Sequence, residues 1–493
     1  MRARYISALV VVLLLGAIVA GSYVLVQEQT GTITSTSSSS TAHVACTYLT
    51  SVTRTNLNTT QFGSVTTFSL PIPLRSPNSI TAAPDGSVWF GEVALPGLAH
   101  LFLNGTLVEY PWPFSNSTPS SLCYDRSEIW GVAFWGGLIW ASDPANNQLV
   151  GMNTSTGAFT VIPLGSSVLP RFIAIDPENG LWFTDTSPPA QIGVVRAGSS
   201  TAQYYSVPAD AGEYTASILF ENASLAYVTT VNPNDNHGQI FSFDPTSSEM
   251  AFSQVGGNQT LLGPYSVAAA QGGLWVGEHL ASHVAFYDTA SGQWSFYPTS
   301  TDPKLPLTLP YYLLANGSSV WFNEHDANRV AQLSDGTSLT EYAMSPTPID
   351  EVGIGNALTI AIHKDLVWFT AWTADQVGYV NDSVAPTFSV SSDSNGTVTT
   401  IAPGASAQFQ LEITGASSKP LNITFSDSES PSSLPKDISF SPSVDSLASL
   451  DGRVSVEVTV RVSAATPPGE YLLLMTVTDG LTWRSVYVPV DVS

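Results

Sequence analysis

Two short stretches place a carboxylate directly before an imidazole: Glu278-His279 in "WVGEHLASHV" and Glu324-His325 in "WFNEHDANRV". Carboxylate oxygens and imidazole nitrogens are donors for a divalent cation, and two such pairs on adjacent repeat units could share magnesium or calcium. A second group is aromatic and cationic: Trp130, Arg171, Tyr265, Tyr311 and Trp372. Flat faces beside a guanidinium suit stacking against a sugar ring or a peptide. Other chemistry is missing from the sequence. There is no Gly-rich phosphate loop, no nucleophile elbow and no Cys/His cluster. The "EHLASH" at 278 to 283 has the wrong order and spacing for a zinc helix, and "NPNDNHG" at 232 to 238 lacks the downstream Glu of a calcium loop and reads as a turn.

These residues belong to a repeat. Aromatic positions Trp89, Trp140, Trp182, Tyr227, Trp275, Trp321 and Trp368 recur roughly 42 to 51 residues apart. Each sits in the same order of segments: a Pro-x-x-apolar entry such as "PYSV" or "PRFI", a turn such as "PDG" or "QGG", the Trp-Phe strand, a polar loop, a third strand such as "VGYV", and an outer strand ending near Pro. Alternation and Gly-containing turns at this spacing specify about four antiparallel strands per unit. The period is that of propeller blades. The seventh unit lacks an outer strand after "VGYVND", while "SVTTFSLPIP" at 64 to 73 is an outer strand with no unit before it. The N-terminal strand therefore completes the last blade, which closes the ring and removes two open edges. The fold expected is all-β, a seven-bladed propeller over 62 to 382.

In such a ring the first strands line the central channel, and equivalent repeat positions converge on one mouth. One such position, the residue after the entry Pro, is Asn78, Trp130, Arg171, Ala216, Tyr265, Tyr311 and Leu358 in blade order. The other lies just beyond the Trp-Phe pair, where the strand emerges and polar groups are tolerated. There Glu92, Asp143 and Asp185 are expected to accept hydrogen bonds from nearby backbone N–H groups. Glu278 and Glu324 differ in having His279 and His325 beside them.

The blade consensus, Pro-x-x-apolar, Asp-Gly, Trp-Phe-x-Glu, then Val-Gly or Ile-Gly, resembles the virginiamycin B lyase (streptogramin lyase) family over 62 to 382. The resemblance implies a seven-bladed propeller whose relatives open a cyclic depsipeptide by elimination, with magnesium and a general base. It places their working residues at a Glu-Pro-His entry of the last blade, a Glu four beyond that blade's Trp, and a His at the entry of the preceding blade. Here those places hold Asn356, Ala357 and Leu358, then Trp372, then Tyr311. Leu and Trp neither hold a metal nor move a proton, and a phenol of ordinary pKa near 10 is a poor base. The expectation is a retained fold with a different mouth.

The flanks bear on the compartment. Residues 5 to 26 are an uncharged apolar run preceded by Arg2 and Arg4. At 1.5 Å per residue the run could cross about 30 Å of hydrocarbon, leaving the N-terminus inside. The "AGS" at 20 to 22 keeps a cleaved signal, and hence a secreted chain, as the alternative. The divisions expected are 1–29 tip and membrane anchor, 30–61 Ser/Thr-rich stalk, 62–382 propeller and 383–493 a sandwich. The last rests on alternating strands, and "PPGEYLLLMTVTDG" resembles Ig-like modules of surface-layer and secreted proteins. Sequons begin at Asn58, Asn104, Asn116, Asn153, Asn222, Asn258, Asn316, Asn381, Asn395 and Asn422, which suggests an exported glycoprotein. Outside the cell Cys46 and Cys123 could form a disulfide, worth about 4 kcal/mol in the chain-entropy estimate. A net charge of −24 with only 15 Lys+Arg points away from nucleic acid. The expected partners are a glycan, a peptide or a cell-envelope protein. The expected function is cell-surface binding, with a lyase or lactonase using a relocated metal site as the enzyme alternative.

Overall fold

The computed structural model describes residues 49–71, 75–93, 97–114, 129–247, 249–257, 259–301, 307–346, 357–372, 374–427 and 438–493. The apolar run at 5 to 26, the Ser/Thr tract at 30 to 43, Cys46, Cys123 and Asn356 lie outside them. Among the described residues no helix is long and apolar enough to cross a membrane. The chain is all-β, in antiparallel sheets that follow one another along the sequence. Seven of these sheets contain a four-stranded meander, opened in chain order by Pro77–Ala82, Val132–Trp135, Pro170–Ile175, Tyr214–Asn222, Pro264–Ala270, Pro310–Asn316 and Ala357–His363. Each of these opening strands packs on the next, and the last packs on the first. The outcome is a closed, propeller-like ring.

The repeated Trp-Phe pair explains why the sheets pack in a circle. Each Trp reaches forward to the next sheet: Trp89 joins Val132 and Ile139, Trp182 joins Ala226 and Val228, and Trp368 joins Val88 and Phe90. The following Phe reaches backward, Phe183 to Trp140 and Phe322 to Trp275. Trp182, Trp275, Trp321 and Trp368 are fully buried. An aromatic and a following apolar residue, Phe in four of the seven units, point to opposite faces as strand alternation requires and give each sheet an apolar neighbour on both sides. The Gly of the third strand's Ile-Gly or Val-Gly has a steric cause, because a Cβ on Gly193 would stand 2.1 Å from the Phe183 ring.

The closure expected from the sequence is present. Val65–Ser69 pairs with Gln376–Asn381 as the outer strand of the seventh meander. The stalk, however, ends earlier than its composition suggested. Thr53–Asn56 adds a strand to the edge of the first sheet, and Asn58–Phe62 adds one to the seventh. In the first of these Thr53 and Thr55 are half-buried while Arg54 and Asn56 are exposed, and an unpaired outer edge offers both strands a ladder. The sequons also have a folding role. Asn104, Asn153, Asn222 and Asn381 accept a hydrogen bond from the backbone N–H two residues on, so Asn-x-Ser/Thr serves turns, the first three of them between paired strands.

Beyond 387 two sheets pack face to face around Leu411, Ile413, Val456, Val458, Leu473, Met475, Val488 and Val490. This sandwich is continuous with the ring. Thr482–Val492 pairs antiparallel with Ser338–Ala343, the outer strand of the sixth meander, from Ser338↔Val486 to Tyr342↔Thr482. The Tyr487 hydroxyl donates to the Pro298 carbonyl at 2.9 Å, and Arg329 stacks on Trp483 at 3.8 Å.

Candidate functional site

Six of the seven entry strands share a local irregularity that aims their side chains, while Val132–Trp135 pairs without one. Register shifts fall between Pro77 and Ile80, Pro170 and Ile173, Thr215 and Ser217, Pro264 and Ser266, Pro310 and Leu313, and Ala357 and Ile360. Each is a bulge at the residues after the entry position, and a bulge turns a side chain out of the strand's alternation. A polar side chain two beyond the repeat aromatic holds it. Thr184 Oγ1 accepts from Phe172 N, Thr229 from Ser217 N, Asn323 Oδ1 from Tyr312 N, Thr370 from Thr359 N, and Ser142 Oγ from Gly131 N. This hydroxyl or amide clip was not read from the sequence, although its Ser, Thr or Asn recurs in five units.

The bulges bring residues from distant units together. Arg171, of the third meander, donates from Nη2 to the Tyr311 hydroxyl of the sixth at 2.9 Å. Its guanidinium lies 4.2 Å from the Trp130 ring and 5.8 Å from that of Tyr265. Tyr265 and Tyr311 are 5.4 Å apart, and Tyr265 shares a 2.8 Å hydroxyl contact with Tyr214. Trp372 and Leu358 pack on the same cluster. All five aromatic and cationic candidates thus converge. Burial in this cluster pushes the Tyr311 phenol up to about 12. Phe172 and Tyr214 are members that the sequence reading missed. Tyr214 immediately precedes Thr215, which stands where the fourth unit lacks an entry Pro, and Phe172 follows Arg171 inside the bulge.

The four metal candidates divide. His279 and His325 approach to 5.1 Å between ring centres and border Tyr311 at 4.9 and 5.7 Å. Their carboxylate neighbours turn away. Glu278 Oε1 accepts from Leu262 N at 2.6 Å and its Oε2 meets His283 Nε2 at 2.5 Å. Glu324 is buried with Glu341 beside Arg329, 3.8 Å from Nη1. Among the described residues no group of three or more His, Cys, Asp or Glu is arranged to hold a metal. The expected shared four-residue centre of Glu278, His279, Glu324 and His325 is therefore not assembled. Strand alternation is the cause, since adjacent residues point to opposite faces.

The carboxylates instead do one recurring structural task. Asp143 accepts from Trp112 Nε1 and Gln148 Nε2, Asp185 from Leu169 N and Gln191 Nε2, and Glu92 lies buried with Arg75 and Glu109. Each ties the end of its strand to neighbouring segments. Desolvation raises Glu92 and Glu324 well above the usual carboxylate range, with Arg75 and Arg329 opposing. Burial, with the positive fields of His325 and Arg171, holds His279 well below the ordinary imidazole value.

No protein-family model and no curated protein matches the chain. Solved structures do. A streptogramin B lyase structure matches with a TM-score of 0.51 and 22% identity, over 64% of this chain and 96% of that one. Virginiamycin B lyase from Staphylococcus aureus gives 0.52 and 19%, over 64% and 98%. A catalytically inactive variant of that enzyme with quinupristin gives 0.51 and 17% over the same shares. At such identities the likeness is one of fold, and it supports the propeller-like ring.

Proposed function

We infer that the chain is a seven-bladed propeller over 62 to 382, edged by added strands, with an Ig-like sandwich from 383. Displayed outside the cell by its N-terminal segment, or secreted, it binds a ligand at the ring's mouth. A glycan, a peptide or a cell-envelope protein suits that surface. The observation that carries this reading is the convergence of Trp130, Arg171, Tyr265, Tyr311 and Trp372 from five different units of the ring. Aromatic faces around one guanidinium are a recognition surface. The places where lyase relatives carry catalytic groups hold Leu358, Tyr311 and Trp372, which are packed side chains of the same cluster.

A second reading, a metal-dependent lyase or lactonase on the fifth and sixth meanders, is favoured by the approach of His279 to His325. Turnover separates the two. The full chain incubated with a streptogramin B depsipeptide and magnesium should give no linear product above the protein-free control. Product that disappears in His279→Ala would establish the enzyme reading instead.

A further inference from the structure

Two of the Asn-x-Ser/Thr triplets form the tips of tight hairpins in the ring. Asn222-Ala223-Ser224 joins the first two strands of the fourth meander, where Asn222 pairs with Leu225, and Asn316-Gly317-Ser318 joins those of the sixth, where Asn316 pairs with Ser319. All six triplet residues are exposed. A Cβ built on Gly317 would meet nothing within 4 Å, so the sixth tip stands in open space. At the fourth tip the Ser224 N–H and hydroxyl both donate to Asn222 Oδ1, at 2.9 and 3.1 Å. The turn thus engages the oxygen of the carboxamide and does not use its nitrogen, Nδ2. A carboxylate builds the same turn at Asp85 and Asp244, each accepting from the N–H and the hydroxyl two residues on. Turn geometry therefore does not itself call for an amide, whose added feature is a nitrogen able to carry a sugar.

Both tips lie at the far end of an entry strand from its bulge. Asn222 is seven residues beyond Thr215 and Asn316 five beyond Tyr311, which at about 3.3 Å per residue puts them about 23 Å and about 17 Å from those positions. Gln271, at the tip of the fifth hairpin, donates from Nε2 to the Ser318 carbonyl at 2.5 Å, so neighbouring tips lie side by side on one face.

We propose that Asn222 and Asn316 are N-glycosylation sites, which set sugar chains on the hairpin face of the ring, away from the mouth. The inference rests on the extracellular reading above, because the donor, an oligosaccharide carried on a lipid phosphate or pyrophosphate, serves exported chains. In the transfer Asn Nδ2 bonds to C1 of the first sugar and the C1–O bond to the lipid phosphate breaks. The lipid phosphate departs with that electron pair, and the amide gives up one proton to a base. The hydroxyl two residues on is part of the acceptor, so Ser224 and Ser318 are required as well as the Asn. Bulky hydrated sugar on the tips keeps partners off that face, and a ligand reaches the ring from the mouth side.

The test is glycopeptide mass spectrometry on the full chain purified from the cells that naturally make it, with protease added to intact cells in parallel to show on which side of the membrane the chain lies. The expected result is a sugar mass on the peptides that contain Asn222 and Asn316. Ser224→Ala and Ser318→Ala, made in the same cells, should each lose that mass at its own site only, since each variant keeps the Asn and its turn. An unmodified Asn at either position, or modification that persists in the Ser→Ala variants, would overturn the inference. If the chain is cut by the external protease or recovered from the medium while both Asn are bare, glycosylation falls and the extracellular reading stands. A chain that is bare and also protected from the protease removes both.

Discussion

At the scale of single residues, the site depends on side chains that touch no ligand. Thr184 accepts the Phe172 N–H inside the bulge that presents Arg171. Thr184→Val leaves that buried donor unpaired and should cost about 1 to 3 kcal/mol, read as a lower urea midpoint. An unchanged midpoint would show that the clip is dispensable. Arg171, Tyr265 and Tyr311 were legible because a proline marks the residue before each. The clip was not, because a Thr two beyond a Trp reads as ordinary strand composition until the bulge shows which N–H it satisfies. The Glu-His pairs misled for a related reason: proximity in sequence was read as a shared site, whereas Glu278 turns toward His283 and His279 toward Tyr311.

At the scale of elements, the outer strand of the sixth meander is where ring and sandwich meet. Leu339 and Leu333 are buried with Leu474 and Tyr487, and Glu341 accepts from Ser300, whose hydroxyl also meets Thr476 and Ser485. Removing 383 to 493 would expose this surface together with an unpaired edge. The shortened chain should self-associate in sedimentation experiments where the full chain does not, and a monodisperse shortened chain would show the two parts to be independent. The strands on both sides of this join were readable from their alternation. Their pairing was not, since "SLTEYA" and "TWRSVYV" lie far apart in the chain and register between them depends on geometry that no local pattern encodes.

At the scale of the whole molecule, buried ionisable groups set limits on both sides of neutral pH. Glu92 and Glu324 have folded-state values raised above the unfolded value, so their contribution is fully present below about 4.5 and is lost as pH rises through the raised values. His279 and His100 are lowered, His100 to about 4, so their contribution is present above about 6.5 and lost as pH falls. The melting temperature should therefore fall toward both acid and alkali. Glu324→Gln, which keeps the protonated form's shape, should flatten the alkaline side, and an alkaline slope equal to that of the native chain would place the coupling elsewhere. The ring itself was legible from the period of its Trp-Phe pairs, because each pair must find apolar neighbours on both faces. A binding role for the mouth is tested most directly on glycan and peptide arrays. The full chain should capture a defined set of ligands, and Trp130→Ala with Trp372→Ala should lose them while keeping a cooperative unfolding transition, at a melting temperature lowered by the lost packing. Capture that survives in the double variant would place recognition elsewhere on the molecule and contradict a binding role for the mouth.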